Sequence, residues 1–228
     1  MTYIYHHLGL GDYIICNGLI RTIADPKEDY YIFIEKQNLT SVQWMYWDMP
    51  NIHFHIVDGW DEMHQLTDYL EANNQKVIRI NFQEHKGYEF DEYFYVINKV
   101  DFSKRWDSFH CQRDMQLEIN LFKKYNVTEG KYIFLHDDSS RGFNIDESHI
   151  KHKHLPIIRP IPGLTDNIFD YCYLMEKSIE SHFIDSSFRL VFDSLQLRSE
   201  NIYYHINLLN GVIKDSTKSQ SRLPFIMI

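Results

Sequence analysis

Residues 2–23 have the sequence TYIYHHLGLGDYIICNGLIRTI, which predicts the start of an α/β fold. Thr2–His6 predicts a short strand, and two glycines and an aspartate follow it as a turn. Ile15, Leu19 and Ile23 then recur every four residues, which is the spacing of one face of a helix. A strand that turns through glycine into a helix is the first step of a sheet whose parallel strands are connected by helices.

The same alternation continues along the chain and is interrupted once, at the polar residues 101–105. The sequence predicts further strands at residues 30–35, 52–57, 76–80, 132–135, 157–159, 181–184 and 202–206. It predicts further helices at residues 41–47, 61–70, 113–125 and 167–176, and another that opens at residue 185. We therefore expect an α/β protein of two small Rossmann-like halves, residues 1–105 and 106–228, each with a parallel sheet and both facing a cleft.

Composition narrows the classes of partner. The chain has 228 residues, with 23 lysines and arginines against 32 aspartates and glutamates, and a net charge of −9. An acidic balance disfavours nucleic acid and anionic membranes as partners, because both bind basic surfaces. The three cysteines form no CxxC pair, and no secretory signal or transmembrane segment is visible. These features predict a cytoplasmic protein with reduced thiols.

Gly9, Gly11 and Asp12 lie in the turn after the first predicted strand. Glycines let the backbone approach a ligand closely, and the start of the next helix offers free N–H groups and a positive dipole end. The Asp12 carboxylate can cap that helix, or it can act as a general base on a bound substrate. A tight strand–helix turn with an aspartate cap explains the same residues without any ligand.

A second candidate loop, His136–Arg141, follows the first strand of the second half. The guanidinium of Arg141 suits a phosphate because it matches two oxygens at once. The neighbouring Asp137 and Asp138 admit a metal-binding acidic motif, or a turn whose side chains satisfy its own backbone.

A third candidate site is Asp185-Ser186-Ser187-Phe188, where a strand passes into a helix. Hydroxyls and free N–H groups at a helix start form an anion site, and Phe188 would anchor the helix in the core. Aspartate and serine are also favoured helix caps whatever else they do, so a purely structural role stays open.

Residues 8–19, LGLGDYIICNGL, resemble the opening of GT-B glycosyltransferases related to the lipopolysaccharide heptosyltransferases, which begin with a strand, a Gly-Asp turn and a helix. Asp185-Ser186-Ser187 resembles the Asp-Thr/Ser-Gly/Ser step that holds the donor diphosphate in that family, and also the Asp-Ser step of GT-B fucosyltransferases. Arg141 lies where those enzymes place a basic ligand for the donor phosphate.

The resemblance implies a metal-independent glycosyltransferase without a cofactor, in which a glycan or glycolipid acceptor binds the first half and a nucleotide sugar binds the second. It implies that Asp12 is the catalytic base. It further implies that Gly9, Gly11, His136, Arg141, Asp185, Ser186, Ser187 and Phe188 contact the substrates.

Two other functions stay open. The chain can be a non-catalytic nucleotide-sugar-binding or partner protein. It can also be an NAD-dependent oxidoreductase, with Gly9 and Gly11 as a dinucleotide fingerprint and Glu35 on the ribose, although Ile14 stands at the third glycine position.

Further clusters have simpler explanations. The histidines at 149, 152 and 154 are close enough in sequence to bind a metal, but no framework of cysteines or carboxylates accompanies them, and a surface loop explains them. The aromatics at 44, 46 and 47 are explained by core packing, or as a platform for an acceptor sugar.

Overall fold

The computed structural model describes residues 1–80, 88–138, 142–205 and 220–228, and the backbone alone at 208–209 and 212–213. The chain divides into two compact units, Met1–Gln112 and Arg113–Ile228. Each unit is an α/β unit with its own parallel sheet, which confirms the predicted fold class of two Rossmann-like halves.

The described residues of the first unit form four strands and five α-helices. The strands are β1 (Thr2–His6), β2 (Tyr30–Ile34), β3 (Ile52–Ile56) and β4 (Lys76–Ile80), and the helices are α1 (Leu10–Ile23), α2 (Leu39–Met45), α3 (Gly59–Ala72), α4 (Phe90–Ile97) and α5 (Lys104–Asp107). A 3-10 helix at Lys36–Asn38 precedes α2. All strands are parallel in the order β3-β2-β1-β4.

Helix α1 is the central helix of this unit. Every residue from Tyr13 to Ile20 is buried, so the helix is covered on most sides. Helix α5 crosses it so closely that a Cβ at Gly18 would lie 2.0 Å from the backbone oxygen of Lys104. This contact holds α5 within the first unit, whose end at Gln112 lies beyond the expected boundary at residue 105.

The second unit contains seven strands and three α-helices among its described residues. The strands are β5 (Ile133–His136), β6 (Ile157–Ile158), β7 (Glu180–Phe183), β8 (Asn201–Tyr204), β9 (Leu208–Leu209), β10 (Val212–Ile213) and β11 (Ile226–Met227), and the helices are α6 (Met115–Lys124), α7 (Cys172–Glu176) and α8 (Ser187–Ser194). Short 3-10 helices lie at Glu147–His149 and Ile168–Tyr171. Five strands form a parallel sheet in the order β11-β8-β7-β5-β6, while β9 and β10 form a separate antiparallel pair.

Both parallel sheets reverse their winding direction once. In the first sheet the chain steps outward from β1 to β3 and then returns to place β4 on the other side of β1. In the second it places β6 on one side of β5 and then β7, β8 and β11 on the other. Open parallel sheets bind ligands at the carboxyl ends of the strands that flank such a reversal. The two edges of interest are therefore β1/β4 and β5/β7.

The described residues contain no helix that is long and apolar enough to cross a membrane. Cys16, Cys111 and Cys172 are buried and form no disulfide.

Candidate functional site

Asp12 lies at the carboxyl edge of the first sheet, in the first turn of α1. Gly9 is the N-cap residue of the helix, with extended backbone angles (φ −68°, ψ 139°). The Asp12 carboxylate folds back over it, because a Cβ at Gly9 would lie 2.7 Å from Oδ2. Gly9 is thus required by its closeness to this carboxylate, whereas Gly11 lies within the helix. Asp12 is half-buried and reachable from the edge of the sheet.

His6, the last residue of β1, is a buried polar group that the sequence did not mark as functional. Its Nδ1 donates to the carbonyl oxygen of His7 at 2.5 Å, so Nε2 carries the lone pair. Nε2 is buried and has no hydrogen-bond partner in the described part of the chain. Its ring packs edge-on against Tyr13 at 4.4 Å, and burial lowers the pKa of His6 to about 4.

The aromatic side chains of this edge are not those expected from the sequence. Trp60, at the start of α3, is 38% exposed, and its ring lies 5.0 Å from that of His7. Trp44 and Trp47 stack on each other at 5.9 Å, but they lie where α2 returns to the amino end of β3. Tyr46, beside them, is buried. These three aromatics therefore lie away from the Asp12 edge, and an acceptor platform made of them stays a prediction.

Glu35 lies at the carboxyl end of β2, next to β1, which is the position that a ribose-binding carboxylate occupies in a dinucleotide site. It accepts a hydrogen bond from the Gln37 side chain at 2.9 Å. Ile14, which replaces the third glycine of the fingerprint, is fully buried in α1. A bulky residue there changes the close helix–strand packing that the third glycine of that fingerprint provides.

At the carboxyl edge of the second sheet, two of the three candidate loops meet. His136 ends β5 and Phe188 lies in the first turn of α8, after β7, and their ring centroids are 4.3 Å apart. Phe188 also packs against Phe134 and Tyr171, at 6.0 and 5.3 Å. The structure therefore brings His136 and the start of α8 together at the point where the winding of this sheet reverses.

The loop after β5 is closed by two backbone hydrogen bonds. Asp138 and Phe143 exchange N–H···O bonds of 2.8 and 2.9 Å. Arg141, the expected phosphate ligand, lies between them and outside the described residues. Asp137 pairs with Arg159 at 3.6 Å. No cluster of three or more metal-ligating side chains occurs in the described ranges.

Asp185 and Ser186 organise the start of α8. Ser186 is the N-cap residue, and its Oγ accepts a hydrogen bond from the Arg189 amide at 3.5 Å. Asp185 Oδ1 accepts from the Arg189 guanidinium at 2.8 and 3.3 Å. That guanidinium is fully buried and stacks on the ring of Tyr204 at 4.6 Å. The Asp185 carboxylate therefore positions Arg189, and the i,i+4 spacing of the two residues was the signal for it.

The first turn of α8 is suited to an anion. The first four N–H groups of a helix have no partner inside it, and the helix dipole makes this end positive. Ser186 caps the amide of Arg189, which leaves the amides of Ser187 and Phe188 at the end of the helix. Ser187 is half-buried, and its hydroxyl adds a further hydrogen-bond donor to these amides. Together these features favour a phosphate group here.

His152, expected to be a surface-loop residue, is bound to the interior. Its Nδ1 donates to Oε2 of the buried Glu180 at 2.7 Å. Glu180 in turn accepts from His182 at 2.8 Å, and His182 contacts His205 at 2.7 Å. This network fixes the segment that covers one face of the second sheet.

Acid is expected to destabilise the fold, because buried histidines, His6 and His205 among them, are held in the neutral form. Burial lowers the pKa of His6 from 6.5 to about 4, and burial and the nearby His182 and His149 do the same for His205. The native state then binds fewer protons than the unfolded state between these values. We expect full stability above about pH 6.5 and a loss on the order of 1–3 kcal/mol per histidine as the pH falls toward 4. Denaturant unfolding at a series of pH values measures this loss, and a constant unfolding free energy would contradict it.

No protein-family model and no curated protein sequence matches the chain. Among solved structures, diaminopropionate ammonia lyase from Escherichia coli is similar in two forms, one in complex with an aminoacrylate–PLP azomethine reaction intermediate and one apo. Each has 10% sequence identity and a TM-score of 0.28; the matches cover 81% and 87% of this chain, and 39% and 45% of the lyase chains. The chain thus spans less than half the length of these lyases. A TM-score of this size supports no inference about function.

Proposed function

We propose that this protein is a glycosyltransferase that moves a sugar from a nucleoside-diphosphate sugar to a hydroxyl group of a glycan or glycolipid acceptor, without a metal. One observation carries the proposal. The start of α8, which is suited to an anion, and the loop after β5 meet at the reversal point of the second sheet, with 4.3 Å between the His136 and Phe188 rings. The resemblance of both loops to donor-binding segments of GT-B enzymes gives that site its ligand.

The donor diphosphate lies at the first turn of α8 in this proposal. The amides of Ser187 and Phe188 and the Ser187 hydroxyl contact its oxygens, and the helix dipole favours its negative charge. The resemblance adds the cation of Arg141, which lies outside the described residues. Asp185 acts indirectly, by holding Arg189. Negative charge develops on the departing diphosphate, so these groups stabilise the transition state more than the ground state.

The acceptor hydroxyl is activated at the edge of the first sheet. Asp12 takes its proton while the oxygen forms a bond to the anomeric carbon of the sugar. The bond from that carbon to the diphosphate oxygen breaks, and the nucleoside diphosphate leaves with the electron pair. The carboxylate beside Gly9 supports this role, since it lies at the carboxyl edge of the first sheet and is only half-buried.

A carboxylate introduced at the start of α8 is expected to repel the donor. In Ser187→Glu the dissociation constant of UDP, GDP or ADP, whichever the protein binds, should rise at least about tenfold, equal to ~1.4 kcal/mol. Stability should not fall, because an acidic side chain is favourable at a helix N-terminus. Isothermal titration calorimetry in EDTA measures the affinity, and thermal unfolding measures the stability.

Gln116→Glu is the matched control. It makes the same charge change in the exposed first turn of α6, also in the second unit. Its affinity should equal that of the wild type. Unchanged affinity in Ser187→Glu, or binding that EDTA abolishes, would contradict the proposed site.

A dinucleotide site in the first unit is the second candidate. The position of Glu35 at the carboxyl end of β2 favours it. The buried Ile14 weakens it, as does the resemblance of the second unit to a donor site. Binding of NAD, with no binding of any nucleoside diphosphate, would favour this function instead.

A further inference from the structure

Three buried side chains of the second unit, Glu180, His182 and His205, form a hydrogen-bonded series. Glu180 and His182 lie on β7 and are fully buried, and His205, directly after β8, is 6% exposed. His182 Nε2 lies 2.8 Å from Oε1 of Glu180, and His182 Nδ1 lies 2.7 Å from Nε2 of His205. The ring of Tyr203 stacks on His182 at 4.5 Å and holds it in place.

The ionised state of Glu180 determines which nitrogens of His182 and His205 carry a proton. Although burial opposes its ionisation, bonds from the backbone N–H of Lys151, from His152 and from His182 hold the pKa of Glu180 below its ordinary value. An ionised carboxylate only accepts, so Nε2 of His182 carries a proton. In a neutral His182, Nδ1 then accepts, and Nε2 of His205 must donate to it. Nδ1 of His205 is therefore left with a lone pair.

His205 lies at the carboxyl edge of the second sheet. Its amide donates to the carbonyl of Phe183 at 2.8 Å, and Tyr204 pairs with Phe183 in the register of β7 and β8. His205 therefore lies opposite Ile184 on the neighbouring strand, at a strand spacing of about 4.8 Å. Ile184 is the residue before Asp185. Nδ1 of His205 makes no hydrogen bond within the described residues.

The groups around His205 keep it neutral. His182 and His149 are its titratable neighbours, and the rings of His149 and His205 are 6.0 Å apart. Asp146 lies 4.0 Å from His149 and has only a minor opposing influence on His205. Burial is the largest influence and lowers the pKa of His205 to about 4. At neutral pH its free nitrogen is therefore an acceptor.

We propose that His205 is a ligand-binding residue whose Nδ1 accepts a hydrogen bond from a ribose hydroxyl of the donor nucleotide. A neutral acceptor nitrogen does not suit a phosphate oxygen, which also only accepts, whereas a hydroxyl donates. The ribose is the hydroxyl-bearing group joined to the diphosphate that we place at the start of α8, one strand away. This inference rests on the proposed function and adds that the protein recognises the ribose of its donor.

Two variants separate this role from a structural one. His205→Gln places an amide nitrogen near the position of Nε2, so it keeps the bond to His182 and loses the acceptor at Nδ1. His205→Asn does the reverse, because its amide oxygen lies near the position of Nδ1. A purely structural role predicts that His205→Asn is the damaging variant, and a ligand-binding role predicts that His205→Gln is.

The test is the affinity for UDP, GDP and ADP and for their 2′,3′-dideoxy forms, with unfolding free energy measured beside it. The wild type and His205→Asn should bind the ribose form about tenfold more tightly than the dideoxy form. His205→Gln should bind both equally, at the weaker affinity, with near wild-type stability.

Full discrimination by His205→Gln, or its loss in His205→Asn alone, would overturn the assignment of His205 while the proposed function stands. A wild-type protein that binds none of these nucleotides would overturn both together.

Discussion

Asp12→Asn is expected to lower the rate of sugar transfer by about 10²- to 10⁴-fold, the usual contribution of a general base. Asparagine has the shape of aspartate but cannot take the acceptor proton, so the loss should appear in kcat. Affinity for the nucleoside diphosphate should not change, because the donor site that we propose lies in the second unit. Release of nucleoside diphosphate from the bound donor, with a panel of methyl glycosides as acceptors, measures the rate.

Asp58→Asn is the control for this prediction. Asp58 also follows a strand of the first sheet, at the carboxyl end of β3, and is exposed. Asp58→Asn removes one negative charge from the same edge of the sheet as Asp12→Asn does. We expect its rate of sugar transfer to stay within about threefold of the wild type. Transfer by Asp12→Asn above about a tenth of the wild-type rate would contradict the role of Asp12 as a base.

Gly18→Ala is expected to produce the largest loss of stability among simple substitutions in the first unit. The new methyl group would meet the backbone oxygen of Lys104 at 2.0 Å, and a backbone atom cannot rotate away. Helix α5 would have to move, and with it the buried ion pair of Arg105 and Asp91. We expect the free energy of unfolding to fall by about 3 kcal/mol or more.

Gly130→Ala is the comparison that separates a clash from backbone strain. Gly130 has a positive φ of 68°, and nothing lies within 4 Å of a Cβ placed there. Its substitution should cost only about 1–2 kcal/mol, through the left-handed backbone alone. Denaturant unfolding of both variants measures the difference. A loss at Gly18 no greater than at Gly130 would show that α5 moves freely.

The first strand and helix could be predicted because the sequence signals for them lie close together. The strand, the glycines and the four-residue apolar spacing all lie within residues 2–23, and β1 and α1 form there. Parallel pairing followed from the alternation of strands and helices. The expected strand at 202–206 corresponds to β8, Asn201–Tyr204, and the amide of the next residue still bonds to β7, while residue 206 lies outside the described residues.

The buried polar groups could not be predicted because their partners are distant in sequence. Glu180 and His152 are 28 residues apart, and no periodicity links them. The contact of Trp60 with His7 could likewise not be predicted, because it forms only when α3 packs near the end of β1. Trp44 and Trp47 are close in sequence and form a cluster that the sequence shows directly. The pairing of Asp185 with Arg189 is different, since opposite charges at i,i+4 spacing in a helix are a local signal for an ion pair.

The proposed function requires that a nucleoside diphosphate bind the carboxyl edge of the second sheet. Amide chemical-shift mapping by NMR, with UDP, GDP and ADP added in turn in the presence of EDTA, tests it most directly. We predict that one nucleotide shifts the amides of residues 136–138 and 186–189 and leaves those of residues 9–12 unchanged. Shifts confined to residues 9–12 and to Glu35, or no shifts with any of the three, would contradict the claim.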